Sequence, residues 1–231
     1  MNNNSEIINN NNLENNNVAI KIIGLYKTYK ETVLDNVNLE IYKNKFTAIL
    51  GNSGSGKSTL LNIIGGIDLP TSGSIKIFNN TFNKDNQMNS KQRAENIGFV
   101  FQNHYLINEL SVFENIECAA RILHNNQIAK QLTIETLKRI NIEHLANKYP
   151  LELSGGEQQR CAIARAIINK PKILLADEPT GNLDSNNAKK ILDLFLQLKS
   201  EGVTILIATH SKMLQENSDY YYNIYNGKII F

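Results

Sequence analysis

The chain has 231 residues, 42% of them hydrophobic and 20% charged, with no tryptophan. That is one to two domains' worth of chain, enough to bury a sizeable core. Twenty-four Lys and Arg oppose 22 Asp and Glu, a formal charge of +2, too little for a nucleic-acid or polybasic membrane binder. The two cysteines, Cys118 and Cys161, suggest neither a disulfide framework nor a zinc site, so a reduced, cytosolic chain is expected. Apolar runs such as Ile173–Ala176 and Ile205–Ala208 are four residues long, against about 18 for a bilayer span.

In chain order, residues 1–17 come first, with ten Asn and no Lys or Arg. A secretory signal needs a basic start and an apolar stretch, so none is expected. A tract this polar cannot offset its ordering entropy and is expected to be a disordered tail. From Val18 the pattern becomes globular. Val18–Ile23 and Val37–Tyr42 read as strands, the second with Val37, Leu39 and Ile41 on one face. Phe46–Leu50 is a near-continuous apolar run, as a strand buried on both faces requires; it leads into a glycine-rich turn and an apolar helix from Ser58 to Ile64. Ser74–Phe78 and Ile97–Phe101 are further strands. From about Glu109 to Lys148 strand alternation is absent, and Ile134, Leu137 and Ile140 recur about once per helical turn. Ile173–Asp177 and Val203–Ala208 are again buried-strand runs, separated by a helix through Ala188–Leu198. Tyr220–Phe231 carries an Asn226-Gly227 turn between two short strands, a hairpin signal. Strands alternating with helices predict an α/β sheet.

Gly51-Asn52-Ser53-Gly54-Ser55-Gly56-Lys57-Ser58-Thr59 fits GxxxxGKS/T between a strand and a helix, the context that phosphate-binding loop needs. The glycines let successive N–H groups turn inward toward phosphate oxygens, and the helix adds its positive end. Lys57 would reach the β- and γ-phosphates and the Ser58 hydroxyl would ligate Mg²⁺. Leu153-Ser154-Gly155-Gly156-Glu157 opens another helix, where orphan N–H groups and a hydroxyl suit an anion, although an ordinary helix cap has the same look. Lys172-Ile-Leu-Leu-Ala-Asp177-Glu178-Pro-Thr is an apolar strand ending in two carboxylates. Asp177 could hold Mg²⁺ opposite Ser58, and Glu178 could polarise the attacking water. Taken alone, His210 reads as structural, Gln102 as a surface residue and Asp184 as a cap for the helix from about Ala188. Tyr29 and Tyr26 compete as the aromatic that might stack on a base.

Together and in this order, these motifs resemble the nucleotide-binding subunit of ABC transporters, from about Val18 to Phe231. The resemblance identifies GNSGSGKST as the Walker A loop, ILLAD as the Walker B strand and LSGGE as the signature. It places Gln102 at the Q-loop, Asp184 at the D-loop, His210 at the H-loop and Tyr29 at the adenine-stacking position. It implies an α/β P-loop NTPase sheet with an antiparallel β subdomain and a helical subdomain at about 103–170. It implies ATP and Mg²⁺ as ligands, with Gln102 sensing the metal and water and His210 contacting the γ-phosphate. A homodimer across two ATP molecules would follow, in which Ser154, Gly155 and Gly156 of one subunit cover the ATP of the other. A separate membrane permease would hold this subunit on the cytoplasmic face of the cell membrane. The runs LSGGEQQR and ADEPTGNLD are similar to the branch serving lipoprotein release, macrolide or peptide export, and cell division. Chromosome-acting relatives insert a long coiled coil between Walker A and signature, and ribosome-acting ones usually carry two cassettes; neither pattern occurs here. An ATP-gated scaffold of a division complex stays open as the alternative to a transporter.

Overall fold

The computed structural model describes residues 17–230. Apart from Asn17, the tail expected to be disordered lies outside the described residues, as does Phe231 at the end of the predicted hairpin. In chain order the elements are β1 (Val18–Thr28), β2 (Thr32–Tyr42), β3 (Phe46–Leu50), α1 (Lys57–Ile64), β4 (Ser72–Ile77), β5 (Asn80–Phe82), α2 (Ser90–Asn96) and β6 (Ile97–Val100). There follow α3 (Val112–Ala120), α4 (Asn126–Arg139), α5 (Gly155–Ile167), β7 (Ile173–Asp177), α6 (Ser185–Ser200), β8 (Thr204–Thr209), α7 (Lys212–Glu216), β9 (Tyr220–Tyr225) and β10 (Lys228–Ile230). Two sheets result: an antiparallel one in the order β2-β1-β4-β5, and a six-stranded one in the order β10-β9-β3-β8-β7-β6.

The second sheet explains why its strands are apolar throughout. Every residue of β3, β7 and β8 is buried, because both faces are covered. Side chains alternate between the two faces. Phe46, Ala48 and Leu50 join the core formed with α3 to α6, where Phe46 meets Phe195 edge-on at 6.3 Å. Ile49 points the other way, into the core shared with α1 and the antiparallel sheet. Strands β3, β8, β7 and β6 run parallel, with Leu50 opposite Thr209, Asp177 opposite Ala208 and Val100 opposite Ala176. Their carboxyl ends therefore lie along one edge, the place where parallel α/β sheets hold ligands.

Most predicted elements form, with extended boundaries: α6 starts at Ser185, three residues before the expected Ala188, because Asp184 caps it. The Asn226-Gly227 turn has φ of 45° and 75°, the two left-handed residues of a type I′ hairpin. Strand β6 ends at Val100, so Phe101 lies outside it. Of the predicted helical trio, Leu137 and Ile140 are buried but Ile134 is exposed. The face of α4 that packs inward instead carries Ala129, Thr133, Thr136 and Leu137. Short β5, α2 and α7 have no apolar run or periodicity to announce them.

The segment between Val100 and α3 is fastened by one buried amide. Asn115 is fully buried; its Oδ1 accepts from the Ile107 N–H at 2.8 Å, and its Nδ2 reaches the carbonyls of Ile107, Leu110 and Ser111 at 2.9–3.0 Å. Asn115→Leu keeps the branched outline but leaves backbone groups without partners. We expect it to lower unfolding stability by about 2–4 kcal/mol, read as a fall in the urea midpoint at unchanged slope.

Candidate active site

The edge where β3, β6, β7 and β8 end opens into a cleft of about 670 Å³. It is lined by Val33, Gly51, Asn52, Ser53, Gly54, Gly56, Lys57, Ser58, Thr59, Gln102, Glu178 and His210. Gly51, Gln102, Glu178 and His210, distant in sequence, thus converge because each follows the carboxyl end of a parallel strand. Gly56 has a φ of 105°, and a Cβ there would lie 2.9 Å from the Val33 carbonyl oxygen and Leu34 Cδ2; only glycine lets the loop turn so close to β2. Gly56 also caps α1 without any side-chain hydrogen bond, and the first turn of α1 carries no acid. The N–H groups at that helix start are therefore available to an anion, with the helix dipole in support.

Lys57 is buried, and its ammonium donates to the carbonyls of Gly51 (2.7 Å) and Asn52 (3.0 Å). Glu178 faces it, with Oε1 at 3.9 Å from Lys57 Nζ and Oε2 at 3.0 Å from His210 Nδ1. The second contact is at ion-pair distance but not aligned as a hydrogen bond, and Glu178 Oε2 is buried with no hydrogen-bond partner. Glu178 adopts a φ of 44°, a costly backbone state for a residue with a side chain. Its N–H donates to the Ala208 carbonyl at 2.8 Å and its carbonyl accepts from Gly181, which holds the carboxylate over the cleft. His210 is largely exposed, at 72% of its side chain.

Asp177 lies beneath this layer. Burial pushes its carboxyl up from the usual range, with the neighbouring Glu178 charge adding, while the Ser58 hydroxyl and Lys57 pull it down. Its Oδ1 is buried without a hydrogen-bond partner. A buried, unpaired carboxylate oxygen beside a serine hydroxyl is a donor set that fits a hard divalent cation. Ser55, by contrast, does not line the cleft: its side chain is buried and its carbonyl accepts from the Gly227 N–H at 3.2 Å.

The remaining predicted residues lie elsewhere. Ser154 caps α5, and its N–H and Oγ both donate to Glu157, at 2.8 and 2.7 Å. Gly156 packs so tightly on α6 that a Cβ would sit 2.8 Å from Asn187 Cγ. Asn187 in turn donates its N–H to Asp184 at 3.0 Å. Ser154, Gly155, Gly156 and Asp184 therefore form a second cluster, at the tips of α5 and α6, outside the cleft. Tyr29 is also outside it. It is exposed, donates its hydroxyl to Asp68, and has Lys27 Nζ 4.5 Å from its ring centroid. The Asp68 contact, then burial, raises its phenol, while a contact with Thr59 acts in the opposite sense.

Residues 34–181 match the family described as ABC transporter. The lipoprotein-releasing system ATP-binding protein LolD of Buchnera aphidicola subsp. Schizaphis graminum is 42% identical over 224 residues, 93% of this chain and 97% of that protein. The chain belongs to the ABC transporter family. It is an ATP-hydrolysing, nucleotide-binding subunit of that family. LolD of Blochmanniella floridana is 44% identical over 207 residues, 88% of each chain. Among solved structures, the ATP-binding cassette MJ0796, a dimer in a post-hydrolysis state bound to ADP and Pi, matches with a TM-score of 0.84 at 38% identity. That match covers 92% of this chain and 97% of MJ0796. No helix of this ABC ATPase, among the described residues, is long and apolar enough to cross a membrane.

Several residues that shape the cleft of this ABC ATPase carry no recognisable motif. Ile224 of β9 and Gly227 of the hairpin buttress the phosphate loop from below, Gly227 donating to Ser55 and accepting from the Asp35 N–H at 2.9 Å. Only the Asn226-Gly227 turn signal pointed to them, and it predicts a hairpin, not a neighbour.

Proposed function

We propose that the chain binds ATP on the loop Gly51–Thr59 and works as a head-to-tail homodimer, each pocket finished by Ser154, Gly155 and Gly156 of the other copy. The observation that carries this reading is the division of the expected site residues into two clusters, of which one lines the cleft and one does not. Isologous two-fold packing would bring each cluster to its counterpart and make two equivalent sites, and the dimeric MJ0796 cassette supports it. Asp184 belongs with the second cluster, and Tyr29, at the far side of α1's first turn, would meet the adenine.

In this reading Lys57 and the α1 N-terminus neutralise the β- and γ-phosphates. Ser58 and Asp177 would hold Mg²⁺, with Gln102 nearby, and the metal would supply charge neutralisation at the phosphate oxygens. Glu178 accepts the proton of a water placed in line with the γ-phosphorus. As the new O–P bond forms, the bond to the β,γ-bridging oxygen breaks and ADP leaves with its electron pair. His210, in contact with Glu178, orients the γ-phosphate side. Loss of the bridging phosphate loosens the dimer, a two-state element controlled by its ligand.

The helices between Gln102 and residue 170 form the subdomain that would pass this motion to a membrane permease, on the cytoplasmic face of the membrane. The curated relatives' names point to lipoprotein release as the work done. Reconstitution tests this. The full-length chain, placed with its partner membrane subunits in proteoliposomes carrying a lipoprotein, is expected to release it only with hydrolysable ATP. Release that is equal with a non-hydrolysable analogue would contradict the assignment.

A further inference from the structure

The loop that carries Gln102 into the cleft is not self-supporting. His104 and Tyr105, two and three residues beyond it, have φ of 60° and 46°, consecutive left-handed residues that both bear side chains and so both cost free energy. Inside the loop, the His104 N–H donates to Phe101 and the Tyr105 N–H to Asn103. Their carbonyls point away, toward α5. There the Arg165 guanidinium takes both: NH2 donates to the His104 carbonyl and NH1 to the Tyr105 carbonyl, each at 2.5 Å. Burial lowers the Arg165 pKa from its ordinary value, and among the described residues no carboxylate forms an ion pair with it. A half-buried cation whose hydrogen bonds go to two adjacent backbone carbonyls is an unusual choice if packing were the sole need. The same helix also presents Gln159 and Gln158 to the His104 ring.

We propose that Arg165 is a positioning residue for hydrolysis: by gripping the carbonyls of His104 and Tyr105 it fixes the loop that aims Gln102 at the reacting phosphate. The planar guanidinium fork suits two neighbouring carbonyls in a way a point charge does not. Since Ser154 caps the start of α5, the same grip joins the loop reading one nucleotide to the helix tip that reads the other. This rests on the role of Gln102 and on the dimer proposed above.

The test is a double-mutant cycle on the full-length chain, by steady-state ATPase kinetics, with Arg165→Ala, Arg165→Lys, Gln102→Ala and the Arg165→Ala/Gln102→Ala pair. Arg165→Ala is expected to lower kcat by about tenfold with KM for ATP changed by less than about twofold. Arg165→Lys recovers part of that loss, and the double variant falls no lower than Gln102→Ala alone, because the two changes remove one function. Hydrogen exchange of the amides of residues 102–105 rises in Arg165→Ala while that of α1 does not. Should Arg165→Ala fail to fold, the cycle is run with Arg165→Lys, with a smaller loss in kcat at unchanged KM expected. Unchanged kcat in a folded Arg165 variant overturns the proposal, as does a double variant whose loss is the product of the single losses. Wild-type kcat in Gln102→Ala overturns the role of Gln102 itself, and the positioning role falls with it.

Discussion

Glu178→Gln is expected to bind ATP as the unsubstituted chain does and to lower kcat by about 10²–10⁴-fold. Glutamine has nearly the same shape, so the contact with the cleft and the strained backbone at φ 44° survive; what disappears is the capacity to take a proton from water. Glu178 Oε2 is buried with no hydrogen-bond partner, so the oxygen that would meet the water is not already committed. With the bridging phosphate intact, the dimer should persist, and size-exclusion chromatography in MgATP should show it while ADP returns monomers. Wild-type turnover in this variant would remove Glu178 from the mechanism.

The second large effect concerns binding. Lys57 donates to two carbonyls of its own loop, so it both shapes the cradle and places a positive charge where the β- and γ-phosphates would lie. Lys57→Ala removes a charge-assisted contact in a mostly buried place, a loss of about 2–3 kcal/mol. That is a rise in the dissociation constant for ATP of about 30–150-fold, measurable by calorimetry. Because the loop loses an internal support as well, ADP affinity should also fall, though by less. An unchanged ATP affinity would assign the lysine a purely structural part.

Much of the fold was legible because buried parallel strands leave a simple trace. Phe46–Leu50 and Ile173–Asp177 are short apolar runs with the observed boundaries, and each ends in the residues that matter. The trace fails where helices are covered on one side by small or polar residues. Ile134 has the right spacing yet faces outward, while Thr133 and Thr136 are buried, Thr133 bonding its hydroxyl back to the Ala129 carbonyl. Helix α2 was missed although Asn89 and Gln92 form a capping box, a signal that spacing alone would have revealed. For the site, contiguous motifs carried the information: the phosphate loop, the paired carboxylates and the signature. What sequence order does not carry is contact across long separations. Arg165 lies 60 residues from the carbonyl of Tyr105 that it holds, and the hairpin beneath the phosphate loop comes from the last strands of the chain. The division of the site into two clusters was already implied by the resemblance, which gives Ser154, Gly155 and Gly156 to the other subunit's ATP; the folded chain adds that Asp184 sits with them, joined through Asn187.

The claim on which the rest depends is that each pocket takes its phosphate loop from one copy and its serine-glycine helix tip from the other. Mixing two inactive variants measures this directly. Lys57→Ala disables the pocket built on its own loop, and Ser154→Arg disables the pocket that its helix tip would complete. In a mixed dimer both defects fall in one pocket, and the other has an intact loop and an intact tip. ATPase activity should therefore appear on mixing, where neither variant alone has any. Activity that stays absent at every ratio, while mixed dimers are shown to form, would contradict the shared pocket.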